Sequence, residues 1–306
     1  MEAAMRLAKQ NYEEERAYVP ALPRLDSVPD LRPFADNGLG AAAFEGSEMV
    51  GFLGCSPPFR NAFGSPGVTG LFSPLGANGA VRENRAKIYA RLYQAAGEKW
   101  VRAGASSHAV CLYAHDRQAQ EQFYRYGFGL RCVDAIRGMD EITAPPCEGY
   151  SFHKLSREDI LKALPLEHHL CESYADSPFF MFREKSSEAE FLEEVERFQP
   201  VYFTAEYQGQ TVAFIRAELD GETFVQDTPG YIHVKGAYCL KEHRGKGLHR
   251  NLLNLLVREL KARGYTRLGV DFESFNPSGQ GFWLKYFDAY THGVVRRIDE
   301  KALSGK

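Results

Sequence analysis

The chain has 306 residues, enough for one large domain or two of ordinary size, and its 44% hydrophobic and 13% aromatic content suits a filled interior rather than a peptide, a tail or a disordered chain. A formal charge of -3 at pH 7 supplies no global basic field, which argues against nucleic acid or anionic lipid as a partner. Six cysteines form no CxxC pair and no zinc spacing, no stretch approaches the ~20 apolar residues of a membrane helix, and Met1 to Tyr18 lacks the apolar core of a signal peptide; the expected setting is cytoplasmic, with reduced thiols and no metal.

In chain order, Leu7 to Tyr18 reads as a helix. The turn Glu45-Gly-Ser-Glu48 leads into Val50-Gly-Phe-Leu53, a β-hairpin. A strand at Gly70-Leu-Phe72 is followed by the loop Ser73 to Asn84. Ile88, Leu92, Tyr93, Ala96 and Trp100 then recur at helical steps, and Gly104 closes that helix. A β-prone run to Tyr113 and a last helix ending at Gln122-Phe-Tyr-Arg-Tyr-Gly-Phe128 complete this half. Two prolines in Ala144-Pro-Pro-Cys147 interrupt the periodicity, which places a linker there and predicts domains 1–145 and 146–306.

The second part opens on a strand, Tyr150 to Leu155, and a helix from Ser156, an N-cap candidate with Glu158 and Asp159 in its first turn. Phe191, Leu192, Val195 and Phe198 have the spacing of one buried helix face. A hairpin around Gln208-Gly-Gln210 leads to Val212-Ala-Phe-Ile215, then come a strand Tyr231 to Leu240, a helix carrying Leu248, Leu252, Leu253, Leu256 and Leu260, Gly264 as its stop, and a strand to Glu273. Laying Gly104 on Gly264 matches the two halves without a gap for about two dozen residues, with Asp116 on Asn276 and Phe123 on Trp283. Val50–Leu53 likewise falls on Val212–Ile215 and Gly70–Phe72 on Gly236–Tyr238, which makes the loop Ser73 to Asn84 an insertion of the first half. Each half is therefore an α+β sandwich.

Between the strand at 231 and the leucine-rich helix stands Lys241-Glu-His-Arg-Gly-Lys-Gly-Leu-His-Arg-Asn251. A glycine-rich turn of this kind gathers backbone N–H groups at a helix N-terminus, where the dipole adds positive potential, and so suits a pyrophosphate. Gly245 and Gly247 permit close approach, and Arg244, Lys246 and Arg250 can add charge-assisted contacts.

The stretch from Tyr231 to Phe287 resembles the acetyl-CoA-binding core of the GCN5-related N-acetyltransferases (GNAT): a strand, the turn Arg244-Gly-Lys-Gly-Leu-His249, a helix, a strand, then Asn276-Pro-Ser-Gly-Gln-Gly-Phe-Trp283. Gln122 to Phe128 is similar to the same family's Phe-Tyr-x-x-x-Gly-Phe ending. The resemblance implies two tandem GNAT folds, each with a mixed, mostly antiparallel sheet flanked by helices. It also implies an N-acetyltransferase that moves the acetyl group of acetyl-CoA to a primary amine, with a small molecule as acceptor and direct attack on the thioester; the alternative is a non-catalytic acyl-CoA-binding or sensing module. By the same resemblance Ala237, Tyr238 and Cys239 would offer main-chain groups to the pantetheine, Arg244, Gly245, Lys246, Gly247, Leu248 and His249 would cradle the pyrophosphate, and Asn276 would meet the pantetheine.

This sequence departs from the family at two positions. His249 stands where the turn ends on a small residue, so that its ring either crowds the turn or, protonated, touches a phosphate. Trp283 stands where a tyrosine often protonates the departing thiolate, and an indole is no proton source. Tyr286, nearly one turn later, is the replacement candidate. For the base, Glu273 and His233 are candidates, alternation placing His233, Lys235, Ala237 and Cys239 on one face of their strand. Residues 73–84 carry no Arg-x-x-Gly turn, and Asp116 replaces Asn276, so the first domain is expected to have a degenerate cofactor site and to help wall the acceptor cleft.

Overall fold

The structure, a computed structural model, describes residues 1–303. The first half runs α1 (Glu2–Tyr18), α2 (Arg32–Ala35), β1 (Ala41–Glu45), β2 (Glu48–Leu53), β3 (Phe59–Arg60), β4 (Thr69–Ser73), β5 (Asn78–Ala80), α3 (Arg85–Arg102), β6 (Ser107–Tyr113), α4 (Arg117–Arg125) and β7 (Gly129–Gly138). The second runs β8 (Tyr150–Lys154), α5 (Leu164–Ser173), α6 (Glu188–Phe198), β9 (Val201–Tyr207), β10 (Gln210–Glu218), β11 (Tyr231–Cys239), α7 (Leu248–Ala262), β12 (Arg267–Glu273), α8 (Pro277–Trp283), β13 (Asp288–Ala289) and β14 (Thr291–Arg297). Both halves thus repeat hairpin, strand, long helix, strand, short helix, strand.

One sheet of 11 strands crosses both halves in the order β3-β4-β6-β14-β7-β12-β11-β10-β9-β8, with β13 paired to β7 off this path, and β1, β2 and β5 form a separate sheet of three. The halves exchange their last strands. β7, from the first half, pairs along its length with β12 of the second, while β14, from the second, lies between β6 and β7. Sequence periodicity carries no sign of this exchange, because an inward/outward alternation reads the same whichever sheet receives it.

Helices α3 and α7 cover one face of the sheet. Leu252, Leu253, Leu256 and Leu260 of α7 are fully buried against Val234, Val270 and Ala135, each contributing about 1.5–3 kcal/mol by removal from water. The expected stops are in place: Gly104 and Gly264 take φ of +80° and +90° just past α3 and α7. The opposite face carries α1, α5 and α6.

Three sequence expectations are corrected. Ser156 caps a turn through its contact with the Asp159 N–H (3.2 Å), and α5 begins only at Leu164. On α6, Phe191 is buried but Leu192 is exposed, because the helix rests on the sheet by a narrow stripe. The insertion of the first half is not a loop at 73–84. Gly70–Ser73 pair in parallel with Ser107–Val110 just as Tyr231–Val234 pair with Arg267–Val270, and Ala80 faces Gly51 as Cys239 faces Ala213. The extra residues therefore break one strand in two, at Pro74–Ala77, and the turn that follows, residues 81–84, is half the length of its counterpart at 240–247.

Candidate active site

In the second half β11 pairs with β12 only from Tyr231/Arg267 to Val234/Val270, after which the two strands part. β11 continues on β10, and Leu240 N–H donates to Val212 C=O (2.9 Å). Alternation then turns the main-chain groups of Ala237 and Cys239 away from β10 and into the gap. A cleft of about 670 Å³ opens there, lined by Ala237, Tyr238 and Cys239, the turn around Gly245 and Gly247, Asn276 and Tyr286.

The turn holds its glycines at φ +78° (Gly245) and +83° (Gly247), left-handed values that cost an L side chain about 1–2 kcal/mol. A Cβ on Gly245 would meet nothing within 4 Å, so the backbone there faces open space. Arg244 donates through Nε to Cys239 C=O (2.9 Å) with its guanidinium 5.4 Å from the Tyr238 ring. Lys246 Nζ donates to the Tyr150 hydroxyl (3.0 Å). The linker braces the turn from outside, since Asn251 donates to Pro145 C=O (3.0 Å) and the Cys147 thiol donates to Lys246 C=O (3.2 Å). Backbone donors, an α7 N-terminus and two exposed cations fit an anionic, pyrophosphate-bearing ligand.

His249 does not crowd the turn. Its ring lies inside, 5.7 Å from Phe282, with Nε2 buried and unpartnered, and burial pushes its pKa down, so the imidazole is neutral. Leu248 is buried beneath α7. Asn276 caps α8, its Oδ1 accepting from Gly279 N–H (2.8 Å), and Asp116 caps α4 in the same way through Ala119 N–H (3.1 Å). That shared cap explains the match between Asp116 and Asn276. Trp283 is buried between Phe282 and Phe287, and Tyr286 packs against Phe282 with the rings tilted at 59°, at the edge of the cleft. Burial pushes the Cys239 thiol up to about 11, which leaves no thiolate in the cleft at neutral pH.

Glu273 and His233 are not in that cleft. A β-bulge at Lys235, where Arg216 faces Gly236 but Ala217 faces Val234, reverses the alternation, so His233 lies on the opposite face from Ala237 and Cys239. His233 is fully buried; Nε2–H donates to Asp271 Oδ1 (2.8 Å) while Nδ1 accepts from the Tyr231 hydroxyl (3.0 Å). Glu273 sits between Arg131 and Arg183, each at 3.6 Å. Glu273 borders a second cavity, of about 540 Å³, on the face away from α7, and His233 lies behind its wall through Asp271. The cavity and the cleft adjoin: Phe180 and Phe275 line the cavity, while their neighbours Phe179 and Asn276 line the cleft.

At the corresponding place in the first half the gap is filled. Asn78 bridges it, donating to Cys111 C=O (3.0 Å) and accepting from the Tyr89 hydroxyl (3.1 Å). From α1, Asn11 exchanges two hydrogen bonds with Ala80, and Glu14 pairs with Arg82 (3.3 Å) and Arg85 (2.9 Å) beside the first turn of α3. An amide thus stands against β5 and a carboxylate at the helix start.

The comparisons with known proteins agree with this geometry. Residues 167–288 match the acetyltransferase (GNAT) family. That GNAT match spans α5 to β13 and so contains the gap, the glycine turn and α7. The whole chain shares its fold with a GCN5-related N-acetyltransferase from Sphaerobacter thermophilus, at 12% identity and a TM-score of 0.59, covering 96% of this chain and 91% of that one. A tandem GNAT protein from the clavulanic acid biosynthesis pathway is 15% identical with a TM-score of 0.44, covering 95% and 97%. A PaiA N-acetyltransferase from Thermoplasma acidophilum in complex with coenzyme A is 19% identical with a TM-score of 0.37, covering 49% and 99%. No curated protein matches the chain by sequence. The fold is the GNAT-like α+β fold, with a mixed central sheet flanked by helices. No described helix is long and apolar enough to cross a membrane.

Proposed function

We propose that the chain is an acetyl-CoA-dependent N-acetyltransferase acting on a primary amine of a small molecule, with one cofactor site per chain, in the second half. The observation that carries this reading is the parting of β11 and β12 beyond Val234 and Val270, which leaves main-chain groups of Ala237 and the N–H of Cys239 without a strand partner beside the Gly245–Gly247 turn. Ala237 and Cys239 would hold the pantetheine as a neighbouring strand does; N–H groups of the turn, with Arg244, Lys246 and Arg250, would hold the pyrophosphate. Acetyl-CoA, when bound, supplies an activated thioester. A main-chain N–H aimed at its carbonyl oxygen would be worth a few kcal/mol as charge develops there.

The neutral Cys239 thiol supports direct transfer to the amine over a thioester on the protein. In the first half, Asn11 and Glu14 supply the amide and the anion that a cofactor would otherwise bring, which supports a degenerate site there. The test is amine-dependent release of coenzyme A thiol across a panel of small amines. Release that Arg244→Glu abolishes supports the reading; tight acetyl-CoA binding with no release for any amine would favour a sensing module instead.

A further inference from the structure

The cavity beside Glu273 is built by both halves, from β7 of the first and β12 of the second among others. Asp134 of β7 and Asp271 of β12 stand directly opposite each other in register. Like charges in that position destabilise a sheet, so the pair is costly to the fold. Asp134 is only 5% exposed; the Thr291 hydroxyl satisfies its Oδ2, while Oδ1, also buried, has no partner. A buried, unpaired carboxylate oxygen beside a cavity calls for a donor.

The charges around it are uneven. Arg131 and Arg183 both flank Glu273, and Lys235 pairs with Asp220 (3.2 Å), so no cation among the described residues is paired with Asp134. Asp271 is held ionised: burial pushes its pKa up, but His233, Lys235 and Arg183 outweigh that and keep it below the usual range. The outer wall is apolar. Phe180 and Phe182, 76% and 86% exposed, border the cavity together with Phe63 and Phe275, an apolar surface at an entrance that a ligand would cover.

We propose, on the acetyl-transfer reading above, that this cavity receives the acceptor as a small primary amine with an apolar or aromatic body, its ammonium seated between Asp134 and Asp271, and that Asp134 takes the proton. One N–H bond breaks, its electron pair stays on nitrogen as the nucleophilic lone pair, and the proton bonds Asp134 Oδ1; the acid formed returns that proton to water. Glu273, whose charge is offset by two arginines at 3.6 Å, and His233, with both ring nitrogens engaged, are positioning residues. Burial and Asp271 push the Asp134 pKa up to about 7, where a carboxylate accepts a proton most usefully near neutral pH. The groups facing it are Asp271 on β12, Lys235 and Tyr231 on β11, Glu222 before β11, Tyr290 and Thr291 at β14 and Cys111 on β6.

Calorimetric titration with 2-phenylethylamine and with its neutral counterpart 2-phenylethanol, on the full chain without cofactor, tests this. The amine is expected to bind about ten- to a hundredfold more tightly than the alcohol, and Asp134→Asn to erase the difference while leaving acetyl-CoA affinity unchanged. Acetylation by Asp134→Asn should also lose the rate rise near pH 7. Equal binding of amine and alcohol by the unaltered chain, or an unchanged preference and pH profile in Asp134→Asn, would overturn the proposal. Should Asp134→Asn fail to fold, the exposed Phe182→Ala decides: weaker 2-phenylethylamine binding with methylamine unaffected supports the aromatic seat, and no change overturns it. Loss of acetyl-CoA binding by the unaltered chain would instead sink the acetyl-transfer reading.

Discussion

Asn11 of α1 and Ala80 of β5 are joined as two strands would be: Asn11 Nδ2 donates to Ala80 C=O (3.1 Å) and Ala80 N–H donates to Asn11 Oδ1 (3.0 Å). A side-chain amide has replaced a peptide at the place where Cys239 of the second half has no strand partner on the gap side, its C=O being met only by Arg244 Nε. Asn11→Ala would leave both buried groups of Ala80 unpaired, at a cost of about 2–3 kcal/mol. The expected outcome is a lowered denaturation midpoint with unchanged acetyl-CoA affinity. A gain of a second cofactor site would mean that α1 merely covers a working one.

The exchange of β7 and β14 predicts that neither half is stable alone. Residues 1–145 without β14, or 146–306 without β7, would each expose unpaired strand edges in mid-sheet. Produced separately, each is expected to aggregate; coexpressed, they should copurify in equal amounts. A folded monomeric half, seen by circular dichroism and size exclusion, would contradict this.

Asp134 also predicts a pH signature in stability. Its folded pKa, about 7, lies above the ordinary carboxyl value of 3.8, so the folded state binds the proton more strongly than the unfolded chain. Its contribution is present below about pH 4 and is lost as pH rises through about 7, on the order of a few kcal/mol in all. Asp134→Asn should therefore melt higher than the unaltered chain at pH 8, by less at pH 5, and close to it at pH 4. Parallel melting curves across this range would contradict the assignment.

Much of the architecture is legible in the sequence, because helix stops at Gly104 and Gly264, hairpin turns and the glycine turn are local signals. What is not legible is non-local. The bulge at Lys235 moves His233 to the other face, and no pattern around it marks a bulge. Gly70–Phe72 resembles Gly236–Tyr238 in composition, yet strand pairing matches it to Tyr231 onward. Asp134 lies in the first half, far in sequence from the glycine turn, and its one local signal is a carboxylate within the otherwise mostly apolar run Cys132-Val-Asp-Ala-Ile136. Only the strand exchange brings it to Asp271.

Tyr286 is the remaining acid candidate at the cleft. If its hydroxyl protonates the departing thiolate, Tyr286→Phe should lower kcat about 10²-fold or more while KM for acetyl-CoA stays within about twofold. Equal kcat values would pass that role to water.

The most direct test of the account is the stoichiometry of acetyl-CoA binding by calorimetry, on the full chain and on Arg244→Glu and Gly247→Trp. One site per chain is predicted, weakened about ten- to a hundredfold or lost in both variants, because Arg244→Glu would set a negative charge against the proposed pyrophosphate seat and Gly247→Trp would distort the left-handed turn. Two sites per chain, or one site indifferent to both substitutions, would contradict the assignment of the cofactor to the gap between β11 and β12.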